Sequence, residues 1–279
     1  MKLLRFGLKG YEKPGILDVE GHIHDLSSII DDIDGKTLET KLEDLQGLDI
    51  STLPIVSDDV RIGACVGNIG KFICIGLNYS DHAAETGSPI PSEPIIFNKW
   101  TSAIIGPNDD VEIPKNSKKT DWEVELGIVI GKSGRYLSKE NALDYVAGYC
   151  VINDISERTF QLEGTGTWDK GKGCDTFGPI GPWLVTKDEI ENPHNLHLWL
   201  EVDGHRYQDG NTNTMIFDIS TLVSYVSQYM SLKAGDIIST GTPPGVGLGQ
   251  KPPVFLREGQ VMKLGIEGLG EQQQKVITA

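Results

Sequence analysis

Apolar and polar residues alternate most clearly between residues 120 and 131, in the stretch TDWEVELGIVIG. Its apolar positions recur at every second residue, which predicts a β-strand with one fully apolar face. Glu123 and Glu125 lie together on the other face, separated by roughly 6.8 Å of rise. Two like charges at that distance repel by on the order of 2.4 kcal/mol at an effective dielectric constant of about 20. The pair therefore indicates either a bound divalent cation or an exposed face of a sheet.

The same analysis predicts the other elements of the chain. Short strands broken by Gly turns are expected in 1–7 and 15–27. Leucines at helical spacing predict a helix in 37–48. Further strands are predicted at 71–79, 94–114, 145–156 and 237–240, helices at 138–148 and 218–232, and hairpins at 197–212 and 254–276. This order predicts an α+β, mainly β chain.

Composition supports one large domain preceded by a small unit. The chain has 279 residues, with 33 Gly and 14 Pro, which suits a turn-rich β fold. We predict a small N-terminal α/β unit over 1–66 and the main domain over 67–279. Four widely spaced cysteines are expected to be reduced thiols. The sequence shows neither a signal peptide nor an apolar membrane span, so we expect a soluble cytoplasmic protein.

The charge restricts the possible partners. A formal net charge of −15 argues against nucleic acid and anionic membrane surfaces. It does not argue against a small anionic substrate, because a bound metal can reverse the field locally.

A polar loop at 78–94 holds a second candidate site. His82 and Glu85 share one face if HAAE forms a helical turn, so the carboxylate can orient the imidazole for general base catalysis. A solvated surface turn is the alternative. The Gly, Pro and Ser content of the loop also suits a mobile lid.

A third acid comes from the buried strand that ends at Asp154. If the next segment is helical, Arg158 and Gln161 lie above that aspartate, an arrangement that a simple helix cap does not require. Glu123, Glu125 and Asp154 together offer hard oxygen ligands without Cys or His. Such a set favours Mg²⁺, Mn²⁺ or Ca²⁺ over Zn²⁺.

Three further residues are weaker candidates. Lys99 is a lone cation that can contact an anionic ligand, Lys172 lies in a Gly-rich loop, and Thr242 opens the loop GTPPGVGLG. A solvated lysine, a flexible turn and a rigid Pro-Gly turn are the respective alternatives. His22 and His24 are expected to be exposed strand histidines.

In order along the chain, GLNYSDHAAE, DWEVELGIVIG, INDISERTFQ, DKGKGCDTFGPIGP and STGTPPGVG resemble the fumarylacetoacetate hydrolase family over roughly residues 66–279. The resemblance implies a mixed β-sandwich roll, commonly a homodimer. It implies Mg²⁺ or Mn²⁺ on the three acids, with Ca²⁺ as a substitute in crystals. It further implies a catalytic dyad of His82 and Glu85 and an active-site Lys172. The substrate contacts that it implies are Arg158, Gln161, Thr242 and Lys99.

The implied reaction is hydrolysis of the C3–C4 bond of a 2,4-diketo acid, an acylpyruvate, to pyruvate and a carboxylic acid. Stretches such as GTWDKGKGCDTFGPIGPW look most like the branch that handles 2,4-diketo-3-deoxy sugar acids (rhamnonate or fuconate type), often labelled ureidoglycolate lyase. The alternatives are an oxaloacetate decarboxylase or ureidoglycolate-type lyase on the same metal site, and a non-catalytic binder of small oxo acids.

Overall fold

The computed structural model describes residues 1–57 and 59–279. The strands are β1 (Lys2–Phe6), β2 (Lys13–Leu17), β3 (Ile23–Asp25), β4 (Phe72–Gly76), β5 (Ile95–Lys99), β6 (Ile104–Ile105), β7 (Val111–Ile113), β8 (Thr120–Asp121), β9 (Val124–Ile130), β10 (Val146–Asn153), β11 (Ser156–Glu157), β12 (Gly178–Thr186), β13 (His197–Val202), β14 (His205–Asn211), β15 (Ile237–Ser239), β16 (Val261–Ile266) and β17 (Gly270–Thr278). The α-helices are α1 (Gly35–Thr40), α2 (Leu42–Gln46), α3 (Ser80–Thr86), α4 (Arg158–Leu162), α5 (Asp169–Lys172) and α6 (Ile219–Tyr229). Among these described residues, no helix has the length and apolar character to cross a membrane.

The large sheet has β9 and β10 near its centre. Its order is β3-β2-β1-β12-β10-β9-β15-β4-β5, and β6 pairs with β12. β9 is antiparallel to both neighbours, β10 and β15, whereas β15 is parallel to β4. Mixed sheets in a mainly β chain confirm the predicted fold class.

A second sheet, ordered β14-β13-β16-β17-β7, packs against one face of the large sheet. Alternate residues of β9, Val124, Leu126 and Ile128, share a buried core with Leu198 of β13 and Leu264 of β16. These are the positions that the period of two assigns to the apolar face. The sandwich therefore buries the face of β9 opposite Glu125.

The leading unit covers the other face. Leu38 of α1 and Leu45 of α2 pack with Val129 and Ile152 of the large sheet. β1 is antiparallel to β12, so the leading strands extend the large sheet. The boundary at residue 66 stays a prediction. Because both faces are covered, the centre of the large sheet lies in the protein interior.

Three predicted elements differ from the structure, and one of them is the helix over 37–48, which is divided at Lys41 into α1 and α2. The helix over 138–148 is wrong, because only Ala142–Tyr145 forms a 3₁₀ turn and Val146 already pairs with Ile130 in the sheet. The strand over 120–131 is interrupted at Trp122 and Glu123, between β8 and β9. There, side-chain acceptors bind the backbone amides instead of the strand ladder: Asp121 accepts from Trp122 N at 2.8 Å.

Candidate active site

The three acids meet where β9 and β10 run side by side. Glu125 is opposite Ile152 in the β9–β10 register, and Asp154 follows the end of β10. The Asp154 amide donates to the Glu123 carbonyl at 2.8 Å, which ties the third acid to the first. One carboxylate oxygen from each residue lies within 4.8 Å of the others. All three are buried, so the alternative of an exposed sheet face is excluded.

Two cations donate hydrogen bonds to the acids. Lys172, at the end of α5, donates to Glu123 Oε2 at 2.6 Å and to Asp154 Oδ2 at 2.9 Å. Arg158, at the start of α4, donates to Glu123 Oε1 at 2.7 Å. Burial alone would raise the pKa of Glu123, but Lys172 and Arg158 outweigh it and hold that pKa at about 2. Glu123 is therefore ionised at neutral pH.

Glu125 lies in a different electrostatic environment. Its Oε2 accepts from Ser239 Oγ at 2.6 Å and from Gly241 N at 2.8 Å. Burial, Asp154 and Glu123 raise the pKa of Glu125 well above its usual range. Glu125 therefore binds a proton more readily than an ordinary glutamate does.

The donor set fits a hard divalent cation. Asp154 Oδ1 is buried and accepts no hydrogen bond from any residue that the structure describes, although Lys99 Nζ lies 2.7 Å away. Three buried carboxylates, with one oxygen from each within 4.8 Å of the others, are what an oxygen-seeking cation requires. Glu123, Glu125 and Asp154 are the residues that would hold it.

The His–Glu pair forms on α3. The Nδ1 atom of His82 lies 3.0 Å from Glu85 Oε2, one helical turn away. The Gly245 amide donates to the other carboxylate oxygen, Glu85 Oε1, at 2.9 Å. His82 is buried and lines the same cavity as Glu123 and Glu125. Glu85 can thus fix the imidazole with its second nitrogen available for a proton.

The cavity has a volume of about 200 Å³, which suits a small substrate. Arg158, Gln161, Lys172 and Thr242 line it. Substrate contacts by Arg158, Gln161 and Thr242 and a catalytic role for Lys172 stay predictions. Arg158 also donates to Gln161 Oε1 at 3.0 Å, so these two side chains are held as a unit.

The hydroxyl of Thr242 is already engaged. It donates to the Val124 carbonyl at 2.9 Å and accepts from Gln208 Nε2 at 2.7 Å. The hydroxyl proton is therefore used in a hydrogen bond within the protein. A role of Thr242 in substrate binding stays a prediction.

The structure does not bring Lys99 to the cavity. Its ammonium group is fully buried behind Asp154 and donates to the carbonyls of Ile155 and Lys172. The expected substrate contact is therefore corrected: the ammonium group of Lys99 contacts Asp154 and backbone carbonyls of the protein, and it does not face the cavity. His24 likewise differs from expectation, since it is buried with Nε2 3.0 Å from Asp18 Oδ2.

Sequence reasoning missed Asp121, which binds both Arg158 and the loop after Thr242. The only available signal was its position two residues before Glu123, on the side of the strand that carries the acids.

The chain matches known proteins over most of its length. Residues 71–277 match the family described as Fumarylacetoacetate (FAA) hydrolase C-terminal. A protein of Burkholderia lata, provisionally named a hydrolase, is 62% identical over 276 residues, or 98% of each chain.

Solved structures agree. A fumarylacetoacetate hydrolase from the psychrophilic Exiguobacterium antarcticum is 36% identical, with a TM-score of 0.87 over 100% of both chains. A maleylpyruvate hydrolase from a Sphingobium species, in complex with manganese(II) ion and pyruvate, is 28% identical, with a TM-score of 0.84 over 100% of both. A chain described as a 2-hydroxyhepta-2,4-diene-1,7-dioate isomerase from Mycobacterium abscessus is 32% identical, with a TM-score of 0.85 over 100% of this chain and 99% of that one.

A mainly β scaffold with a buried acidic triad beside a His–Glu pair defines an enzyme for small substrates. The chain belongs to the fumarylacetoacetate hydrolase family.

Proposed function

We propose that this enzyme is a divalent-metal-dependent hydrolase that cleaves the C3–C4 bond of a 2,4-diketo acid. The observation that carries the proposal is that one cavity is lined both by acids of the triad and by His82, whose carboxylate partner is Glu85. A site for binding alone has no use for a general base held in this way. The Sphingobium relative, a maleylpyruvate hydrolase with manganese and pyruvate, supports an acylpyruvate as substrate.

The protein's own groups account for the proton transfers. Glu85, held by the Gly245 amide, orients His82 through Nδ1. The free Nε2 takes a proton from a water molecule, whose oxygen then bonds to C4 of the substrate. The C3–C4 bond breaks with its electron pair on the pyruvate half, and a proton delivered to C3 completes pyruvate and the carboxylic acid.

The remaining groups bind and orient the substrate. A divalent cation bound to Glu123, Glu125 and Asp154 supplies a Lewis acid for the oxygens of the oxo acid and for the negative charge that develops on the pyruvate half. Mg²⁺ and Mn²⁺ are the cations we propose, from the oxygen ligands. Lys172 adds positive charge at the cavity, and the Arg158–Gln161 pair offers hydrogen-bond donors beside it.

The test is a substrate panel with purified protein, first treated with EDTA and then supplied with Mg²⁺ or Mn²⁺. We expect pyruvate and the matching acid from acylpyruvates or from 2,4-diketo-3-deoxy sugar acids, the finer class suggested by the sequence. Turnover of oxaloacetate alone, with neither diketo class consumed, would refute the proposal in favour of a decarboxylase.

Replacing the base separates hydrolysis from decarboxylation. His82→Ala should lower kcat for hydrolysis by roughly 10²–10⁴-fold, the usual contribution of a general base. Decarboxylation needs no activated water and should survive. The matched control is His24→Ala, which removes another buried histidine paired with a carboxylate, Asp18, in the leading unit. Hydrolysis that survives His82→Ala to within tenfold would count against the dyad.

Isomerisation is the second candidate, favoured by the isomerase from M. abscessus. A base can move a proton between carbons of an unsaturated hydroxy acid without any attack by water. Turnover in H₂¹⁸O distinguishes the two reactions. Hydrolysis places ¹⁸O in the released carboxylic acid, whereas isomerisation gives no cleavage product.

We also propose a homodimer, with no nucleic acid or membrane as partner. Light scattering after size-exclusion chromatography measures the mass directly, and a monomer at micromolar concentration would contradict the dimer.

A further inference from the structure

We propose that Asp121 is a positioning residue that couples the acidic triad to the His82–Glu85 pair. The inference rests on the proposed function, but its first test requires no turnover. Asp121 lies at the end of β8, is fully buried and stays outside the cavity lining. Each of its two oxygens binds two donors. Three of the four donors connect Asp121 to the two parts of the site: Arg158 contacts the triad, and Gly247 and Leu248 belong to the segment that holds Glu85.

Arg158 connects Asp121 to the acidic triad. Asp121 Oδ2 accepts from Arg158 Nε at 2.8 Å. The same guanidinium donates through Nη2 to Glu123 Oε1 at 2.7 Å. A planar guanidinium held on one edge by a carboxylate has its other donors fixed in direction. Asp121 therefore orients the group that binds Glu123 of the triad.

Residues 245–249 connect Asp121 to the His82–Glu85 pair. Asp121 Oδ1 accepts from Gly247 N at 2.6 Å, and Oδ2 accepts from Leu248 N at 2.9 Å. Two residues earlier, the Gly245 amide holds Glu85. Val246 and Leu248 of this segment also line the cavity. Asp121 thus anchors the segment that fixes the carboxylate of the dyad.

The contact requires both a glycine and a carboxylate. A Cβ added to Gly247 would lie 2.7 Å from Asp121 Oδ1 and would overlap the Val254 carbonyl oxygen. The fourth donor to Asp121 is Trp122 N, at 2.8 Å from Oδ1. An asparagine keeps one acceptor oxygen and turns an NH₂ toward two of these four donors. Asp121→Asn therefore preserves size but breaks one of the two hydrogen bonds to the segment in either orientation, together with the bond to Trp122 N or the bond to Arg158 Nε.

The first test measures cation binding and backbone opening. With Asp121→Asn, we expect the Kd for Mn²⁺ to rise about tenfold, and amide hydrogen exchange across 245–249 to accelerate by a similar factor. Asp109→Asn is the matched control. Asp109 binds the Arg61 guanidinium (Nε to Oδ1, 2.7 Å) and the Gly106 amide at 2.8 Å, in a part of the molecule that does not line the cavity. The control should leave both readouts unchanged. Equal changes in the two variants, or none in Asp121→Asn, would overturn the proposal.

Gly247→Ala provides a second variant in case Asp121→Asn does not fold. It disturbs the segment at its contact with Asp121 and changes no side chain of the triad. If Asp121 couples the segment to the triad, we expect faster exchange across 245–249 together with a rise in the Kd for Mn²⁺. Faster exchange with an unchanged Kd would refute the coupling.

The second test is a double-mutant cycle on kcat at saturating Mn²⁺. Asp121→Asn alone should lower kcat by roughly 10²-fold, since small misplacements of catalytic groups have effects of that size. If the effect passes through Glu85, adding Asp121→Asn to Glu85→Gln should lower kcat by less than about threefold. Full additivity would refute coupling through the segment. Should no substrate be turned over at all, the binding and exchange results still decide for or against Asp121, so the two failures are distinguishable.

Discussion

Glu125→Gln should make the cation-free protein more stable, contrary to the usual effect of changing a buried, hydrogen-bonded residue. Glutamine retains an oxygen for Ser239 Oγ and Gly241 N. It removes a negative charge that lies within 4.8 Å of both Glu123 and Asp154. The repulsion that Glu125 experiences is therefore lost while its hydrogen bonds remain.

The magnitude follows from the same distance. At an effective dielectric constant of about 20, each like-charge pair separated by no more than 4.8 Å repels by at least ~3.5 kcal/mol. One of the two repulsions is offset by attraction to Lys172. Since the raised pKa of Glu125 relieves part of the remainder, we expect a gain of roughly 1–3 kcal/mol. For a chain of this size, that gain corresponds to a rise in Tm of about 2–6 °C.

Divalent cations should make the wild type more stable than Glu125→Gln. For the wild type, a free cation concentration of about 1,000 times Kd adds roughly 4.1 kcal/mol to the free energy of unfolding. Glu125→Gln has lost a charged ligand and should gain little. The assay is calorimetric Tm in EDTA and in excess Mn²⁺. The wild type is expected to be the less stable protein in the first condition and the more stable one in the second.

Glu12→Gln is the matched control. Glu12 pairs with Arg61 at 3.0 Å and Arg5 at 3.6 Å, so its loss removes attraction rather than repulsion. This variant should lower Tm in EDTA and keep the full Mn²⁺ shift. A Glu125→Gln protein that is destabilised in EDTA as Glu12→Gln is, or that keeps the Mn²⁺ shift, would show that the electrostatic reasoning is wrong.

Three further predictions concern single residues. Lys99→Met removes one of the two lysines that pair with buried Asp154, the other being Lys172, and should cost about 3–5 kcal/mol. Lys71→Met, at a half-buried pair, should cost clearly less by urea unfolding. Gly245→Ala should lower the free energy of unfolding and reduce kcat strongly. The φ of Gly245 is +105°, and a Cβ would overlap the Tyr207 carbonyl beside the amide that holds Glu85. An unchanged kcat would contradict this prediction. Asp218→Ala removes the cap on Thr221 N and should cost about 1 kcal/mol in urea with unchanged kcat.

Local patterns were sufficient for much of the scaffold. The period of two in β9 correctly assigned Val124, Leu126 and Ile128 to a buried core. The Asp203–Gly204 pair correctly located the turn between β13 and β14, where both residues have positive φ. These features depend on neighbours along the chain, so spacing alone was enough to identify them.

Contacts between distant segments were not available from the sequence. Asp121 meets Gly247 across 126 positions and Arg158 across 37. Lys99 reaches the Lys172 carbonyl across 73 positions. No period or motif indicates which of several acceptors a long side chain contacts. For Lys99, the sequence therefore predicted a substrate contact where the structure has contacts within the protein. The error at 138–148 has the same origin, since pairing with Ile130 overrides the local preference for helix.

The charges of the buried cluster would allow an acidic chain to bind the oxo acid that we propose as its substrate. Four carboxylates (Asp121, Glu123, Glu125 and Asp154) meet three cations (Lys99, Arg158 and Lys172), which leaves one unit of negative charge when all are ionised. A divalent cation changes that balance to one unit of positive charge, which is the complement of a single substrate carboxylate. With only the triad and no lysines, the same cation would leave the cluster negative and the substrate repelled. The buried lysines therefore do more than neutralise acids: they set the sign of the site once a cation is bound, in a chain whose formal net charge is −15.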